Sequence, residues 1–337
     1  MLNVDVKLIL SQYKVILEGE DKTMLEQVAK KSLIISIILI LLAAIISVSV
    51  LSINNVAFAE EENPEEEVDE RTPSSNSSCI LRAKNSVVNT GNASSTFYGV
   101  TIYVEETAEN VTIKGSLRNS EIIVEQRTTD VNITLMGNIS GYDSRCVIYN
   151  KSTKGTVHII NGSSSAINIL GKLRYTTGHM LDDADVYGVV ASRGNISFEG
   201  SPINISCDIP VVKSTGFGNL DFGATGLQVF GAKNVYIKTN VTITGGNGAD
   251  GLTVGVLHTD GGHGGYAYDG AFARVHVPSG HLTLIGGKGG NGADAPSGEI
   301  PGLKGYGGFA YYLNIISSDK SRITTKNGAN GSNGHNV

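Results

Sequence analysis

Apolar and small polar side chains alternate along most of this chain in short bursts, each ending at a glycine. A six-residue phrase recurs as Asn110-VTIK-Gly115, Asn132-ITLM-Gly137, Ala166-INIL-Gly171, Asn195-ISFE-Gly200, Asn240-VTIT-Gly245 and His281-LTLI-Gly286. A period of two puts one set of side chains on a buried face and the other in water, and the closing glycine permits a turn. Further short apolar runs lie between the copies, at 97–104, 121–125, 146–149, 157–160, 186–191 and 234–238. Gly, Ser, Asn and Asp separate them. No amphipathic helical pattern follows residue 60, which excludes an α/β fold built on helical crossovers. Two all-β architectures remain, an antiparallel sandwich and a parallel stack of coils. A phrase repeated at similar places in successive coils predicts the second, a right-handed parallel β-helix.

The last third carries a longer period. Thr244-GGNG is followed 41 residues later by Ile285-GGKG, Gly264-GYA-Tyr268 is followed 43 residues later by Gly307-GFA-Tyr311, and Ile323-TTKNGANGSNG is a third, fading copy. The unit is therefore about forty residues: strand, glycine-rich loop, GG-aromatic-Ala-Tyr, strand. Phrases such as LTLIGGKGGNGADA in residues 225–337 resemble the glycine-rich, low-charge repeat regions of secreted or surface proteins of Gram-positive gut bacteria. The resemblance implies a right-handed parallel β-helix outside the cell, of unknown or adhesive role, and transfers no functional residue.

Two templates fit the stretch GGNGADGLT at 245–253. As G-x-G-x-x-G it matches a dinucleotide fingerprint, but the following residues cannot open the helix that must meet a pyrophosphate. As G-G-x-G-x-D-x-U-x it matches the calcium nonapeptide of RTX proteins, although the next nine residues do not repeat it. A Ca²⁺ ion shared by Asn247, Asp250, Asn291 and Asp294 on neighbouring loops is the cofactor expectation that survives. The competing expectation is that these residues form the turn between a buried strand and the next coil.

The front of the chain concerns delivery. Residues 33–53 are almost unbroken Ile, Leu, Val, Ala and Ser, with Lys30-Lys31 before them and Val56-Ala57-Phe58-Ala59 after. Ala57 and Ala59 give the A-x-A pattern of a signal-peptidase site, with Glu60 as the new N-terminus, and Met24 fits as the true start. The run is also long enough to remain as a membrane anchor helix. The expected organisation is signal or anchor at 1–59, an acidic disordered linker at 60–78, a β-solenoid at 79–225 and glycine-rich repeats at 226–337. Charge follows this division. The linker holds eight acids against Arg71, residues 1–59 balance, and the chain as a whole carries −6, so the body from Cys79 is left at +1. With no basic stripe in it, nucleic acid is not an expected partner, and the membrane is met only through the N-terminal segment.

Cys79, Cys146 and Cys207 are far apart and odd in number, and read as buried small hydrophobes rather than a disulfide framework or a zinc site. Asn-x-Ser/Thr triplets are frequent because Asn opens the strand phrase, so they do not by themselves mark glycosylation. Asp182-Asp183, Asp260 and Gly262-His263-Gly264 are similar to the DD and GHG elements of the polygalacturonase family, but their order and separations depart from it. Catalytic residues are therefore assigned to none. The aromatic cluster of Tyr266, Tyr268, Tyr306, Phe309, Tyr311 and Tyr312 has two readings: rings that cover the glycine backbone and plug the coils, or rings that stack on a sugar chain, with Tyr266, Tyr268, Phe309, Tyr311 and Tyr312 as ligand contacts. The resulting expectation is a non-catalytic secreted or cell-surface protein that binds an extracellular glycan or a host or cell-wall surface. A polysaccharide lyase or hydrolase on the same scaffold and a structural cell-envelope protein are the alternatives.

Overall fold

A computed structural model describes residues 68–90, 96–143, 146–172, 186–207, 223–254 and 257–337, all within one compact unit, Glu66–Val337. The targeting segment, with Ala57, Ala59 and Glu60, lies outside the described residues. Among the described residues no helix is long and apolar enough to cross a membrane.

The unit is all-β; apart from a two-stranded antiparallel hairpin, Thr253–Val254 with Leu257–His258, its strands form three parallel sheets, compatible with a parallel β-helix. The chain visits them in rotation. The first sheet runs from Val68–Arg71 through Asn110–Lys114, Thr156–Asn161 and Asn195–Gly200 to Arg274–His276. The second runs from Thr96–Tyr98 through Ile167–Lys172 and Val241–Thr244 to Ile323–Lys326, and the third from Ser78–Leu81 through Ile148–Asn150 to Tyr268–Asp269. One circuit of the three is a rung. The strand Val68–Arg71 pairs with Asn85–Asn89, so ordered structure begins inside the stretch read as a linker, ahead of Cys79.

Alternation buries one side chain in two along most strands of the first and second sheets, whereas Ile148–Asn150, Gly188–Ser192 and Thr225–Val229 of the third are buried at every position, and in-register pairing stacks like on like. In the first sheet Val111, Ile133, Ile159, Phe198 and Ile237 form one inward column. Its counterpart in the second sheet is Leu117, Ile139, Ile169, Ile205, Ile243 and Leu284. In the third sheet the column is Cys79, Ile102, Ile122, Ile148, Val190, Leu227 and Tyr268. All are buried, which makes a single continuous core of the kind stacked repeats share. Cys79, Cys146 and Cys207 are buried as the sequence predicts, and burial raises the Cys79 thiol.

The six phrases do not fall in one place. Those at 110, 132 and 195 enter the first sheet and those at 166, 240 and 281 the second. The run 97–104 is two strands in different sheets, Thr96–Tyr98 and Thr101–Val104, broken at Gly99 with φ of 73°. Outward positions carry polar ladders, such as Asn132 donating to Asn110 and Asn110 to Asn85, each at 2.8 Å. Early rungs take 22–25 residues on this face, whereas the late rung from Asn234 to His276 takes 42. The extra length of the late rungs is the glycine-rich chain.

Candidate functional site

The glycine-rich chain is not a set of turns. In 245–251 burial repeats every three residues, with Gly246 and Ala249 buried and Asn247 and Asp250 exposed. Three residues per turn is the period of an extended polyproline-II helix, which has no internal hydrogen bonds and must find them outside. The same triplets recur in 260–266, 286–295, 302–310 and 327–335, and none of their glycines has positive φ. Glycine is required there by close approach: a Cβ on Gly287 would lie 1.8 Å from Gly246 O, and one on Gly290 1.9 Å from Ala249 O. The segments pack as two layers, 245–251, 286–295 and 327–335 in one and 260–266 and 302–310 in the other.

Each position of the triplet satisfies its amide differently, as buried backbone requires. The first glycine bonds within its layer, as Gly248 does to Lys288 O at 2.8 Å. The second bonds across layers, as Gly262 does to Ala249 O at 2.7 Å and Gly290 to Gly262 O at 2.8 Å. The third residue faces outward, and its amide is taken by a side chain one rung away. Asn247 Oδ1 accepts from Lys288 at 2.8 Å, Asp250 Oδ1 from Asn291 at 2.7 Å, Asn291 Oδ1 from Ser332 at 2.9 Å, and Asp294 Oδ1 from His335 at 2.7 Å. The expected calcium donors are thus amide acceptors at a 41-residue register. Among the described residues no three His, Cys, Asp or Glu side chains gather as for a metal ion.

In the other layer the same position carries the aromatic residues. Asp260, His263 and Tyr266 face outward on one rung, and Leu303, Tyr306 and Phe309 on the next. His263 stacks on Tyr306 at 5.4 Å and 13°, and Tyr266 on Phe309 at 6.4 Å and 15°. Tyr312 tilts against Tyr266 at 5.2 Å. The pairs make two columns, which three residues of about 3.1 Å each set about 9 Å apart. Between them runs a trough of about 710 Å³ whose floor is backbone of Gly223, Gly264, Gly265, Gly307 and Gly308. That volume falls in the range of small-ligand sites, roughly 300–1,000 Å³. The edge segment supplies Asn327 and Asn330, whose Oδ1 atoms accept from Ala310 at 3.0 Å and Gly307 at 2.9 Å. A second hollow of about 440 Å³ shares Tyr266, Phe309 and Asn327 and adds Tyr311 and Tyr312.

Four of the five expected aromatic contacts therefore border the two hollows. Tyr268 does not: it follows Leu227 in the inward column of the third sheet, in register with Tyr311 on the next rung, is 1% exposed, and donates its hydroxyl to Gly270 O at 3.2 Å. His263 and Tyr306 complete the columns in its place. Burial first, then Tyr312 and Asp269, raises the Tyr266 phenol, so it stays neutral. Tyr187, at the lower end of the trough, donates to Asp269, and burial followed by that bond raises its phenol further.

The residues similar to polygalacturonase elements are accounted for in part. Asp182 and Asp183 lie outside the described residues. Asp260 Oδ1 accepts from Leu303 at 2.6 Å and His263 Nδ1 from Tyr306 at 3.0 Å, so both serve the next rung's amides. A bond accepted at Nδ1 places the His263 proton on Nε2. A line absent from the sequence reading joins Thr253, His258 and Glu299, with Thr253 Oγ1 3.1 Å from His258 Nδ1 and His258 Nε2 2.5 Å from Glu299 Oε2. The Thr253 hydroxyl is also within reach of Asp294 O, to which it donates at 2.8 Å. This line ties the 253–258 hairpin to the loop at 296–301.

No family model matches the chain, and no curated protein or solved structure is similar to it.

Proposed function

We propose that the chain is a right-handed parallel β-helix, exported to the cell surface or the medium, that binds an extracellular polysaccharide without catalysing its cleavage. The observation that carries this reading is the glycine-floored trough between two aromatic columns. Aromatic rings beside open backbone are how proteins meet sugars, since the rings cover apolar C–H groups and the backbone reaches hydroxyls. The handedness follows the strong rule for parallel strands joined by crossovers in one sheet. Export is supported by the apolar run and A-x-A site ahead of the described residues.

The catalytic alternative needs a group in the trough able to take a proton. His263 is held as a donor at Nε2 by the bond at Nδ1, and the trough is bordered by no carboxylate among the described residues. A glycan array probed with the protein, with and without Ca²⁺, tests the reading. Binding to a defined glycan with no loss of that glycan over time is the expected result. Binding to none fits a purely structural envelope protein and overturns the proposal, and chain cleavage restores the enzyme.

A further inference from the structure

We infer that the ligand of the trough is an uncharged glycan, and that its chain lies along the stacking axis, crossing the rungs. This rests on the polysaccharide reading above and adds to it the ligand's charge and direction.

The charge follows from the lining. Among the described residues no Lys, Arg, Asp or Glu borders the trough. A uronate or phosphate polymer entering it loses hydration without gaining a cation to offset that cost. What the trough offers is mixed and neutral. The carbonyls of Gly264 and Gly307, both lining residues, accept from no backbone amide among the described residues. Asn327 and Asn330 have their Oδ1 atoms engaged, so their NH₂ groups are the donors they retain. Sugar hydroxyls, which both donate and accept, match such a set, and pyranose C–H groups match the ring walls.

The direction follows from the stacking. His263–Tyr306 and Tyr266–Phe309 are columns built across neighbouring rungs, so the walls run with the stacking axis. A chain lying along that axis is flanked on both sides through its length. One lying along a rung instead meets the columns head-on and continues over Leu303, the next outward position.

Calorimetry with the full-length protein separates the possibilities, using neutral β-glucan and β-galactan oligosaccharides beside oligogalacturonate. Tyr306→Ala, Phe309→Ala and Asn330→Asp are expected to lower affinity for the neutral oligosaccharide at least tenfold, while Leu303→Ala leaves it unchanged. Asn330→Asp keeps the Oδ1 that holds Gly307 and places a carboxylate in the trough, so an unaltered melting temperature accompanies its loss of binding. Preference for oligogalacturonate overturns the neutral ligand yet leaves polysaccharide binding intact. A tenfold loss in Leu303→Ala overturns the direction, and neutral binding indifferent to all three trough variants overturns the site. Absence of binding to every sugar defeats the polysaccharide reading itself.

Discussion

Replacing Gly290 by Ala separates a glycine needed for packing from one needed for a turn. Gly290 is buried and lacks positive φ, and an added Cβ meets Ala249 O at 1.9 Å and Ala249 C at 2.5 Å. The unfolded chain favours Ala by about 0.5 kcal/mol, because Ala has less freedom to lose. Against that, the two segments must part by more than an ångström. Overpacking of this kind costs about 1–3 kcal/mol. Parting also strains the bonds Gly290→Gly262 O and Gly305→Gly290 O, both 2.8 Å, at about 1 kcal/mol each. The net is about 3 kcal/mol. Gly231 is the control: its φ is 74° and an added Cβ meets nothing within 4 Å, so Gly231→Ala costs only the left-handed backbone, about 1–2 kcal/mol.

Stacked rungs open piecewise, so the assay is native-state hydrogen exchange read by peptide. At about 1.4 kcal/mol per tenfold, Gly290→Ala is expected to cut protection of peptides in 286–310 about a hundredfold, with the core strand Val131–Leu135 unchanged. Gly231→Ala should cost its neighbourhood about tenfold. If Gly290→Ala loses no more protection than Gly231→Ala, the glycine-rich segments are turns and the two-layer packing is wrong.

Tyr268 and Tyr312 predict opposite behaviour from one residue type. Tyr268→Ala opens a cavity in the third-sheet column between Leu227 and Tyr311 and should cost about 3–5 kcal/mol in urea unfolding, whereas Tyr312→Ala, at 41% exposure, should stay within about 0.5 kcal/mol. Asp250→Asn keeps the Oδ1 acceptor for Asn291 and should melt as the parent does. Asp250→Ala orphans that amide and should cost about 1–2 kcal/mol, and any melting shift produced by Ca²⁺ should vanish in both. Glu199 sets the acid limb. Burial pushes its carboxyl up, but hydrogen bonds from Lys238, His158 and Ser197 outweigh it and hold the group down at about 2, against 4.5 when unperturbed. Because the folded value is the lower one, the stabilisation is present above pH 4.5 and lost as pH falls toward 2. Partial exposure reduces it to about 1 kcal/mol. Glu199→Gln should therefore be less stable than the parent at pH 7 and equal to it near pH 2, and a constant gap across that range would refute the assignment.

How much of this was legible depends on which period the side chains follow. Period two was plain, and with it the all-β core and the 41- and 43-residue registers. The phrase could not say which sheet it enters, because x-Φ-x-Φ-x-Gly satisfies the first and second sheets equally and only the intervening chain length distinguishes them. Period three was present and unread. Gly286, Gly289 and Gly292 recur every third residue, with Gly287, Gly290 and Ala293 beside them, but glycine at such density is ordinarily a mark of turns.

Once the triplet is seen, residues that looked like separate chemistries share one cause. Asn247, Asp250, Asn291 and Asp294 suggested calcium, and Asp260 and His263 suggested hydrolysis. Each stands at the outward position, where the amide one rung on has no ladder partner and needs an acceptor. Asn, Asp and a neutral His all supply one at that reach, so Asp260→Asn should keep the Leu303 amide bonded and the fold unaltered. The hand-over between periods also explains Tyr268. Tyr266 belongs to a triplet and faces out. Two residues later the chain has joined the third sheet at Tyr268–Asp269, where alternation turns the ring inward. The spacing Tyr-Ala-Tyr is the same under either period, and only the residue at which one gives way to the other decides which ring can meet a sugar.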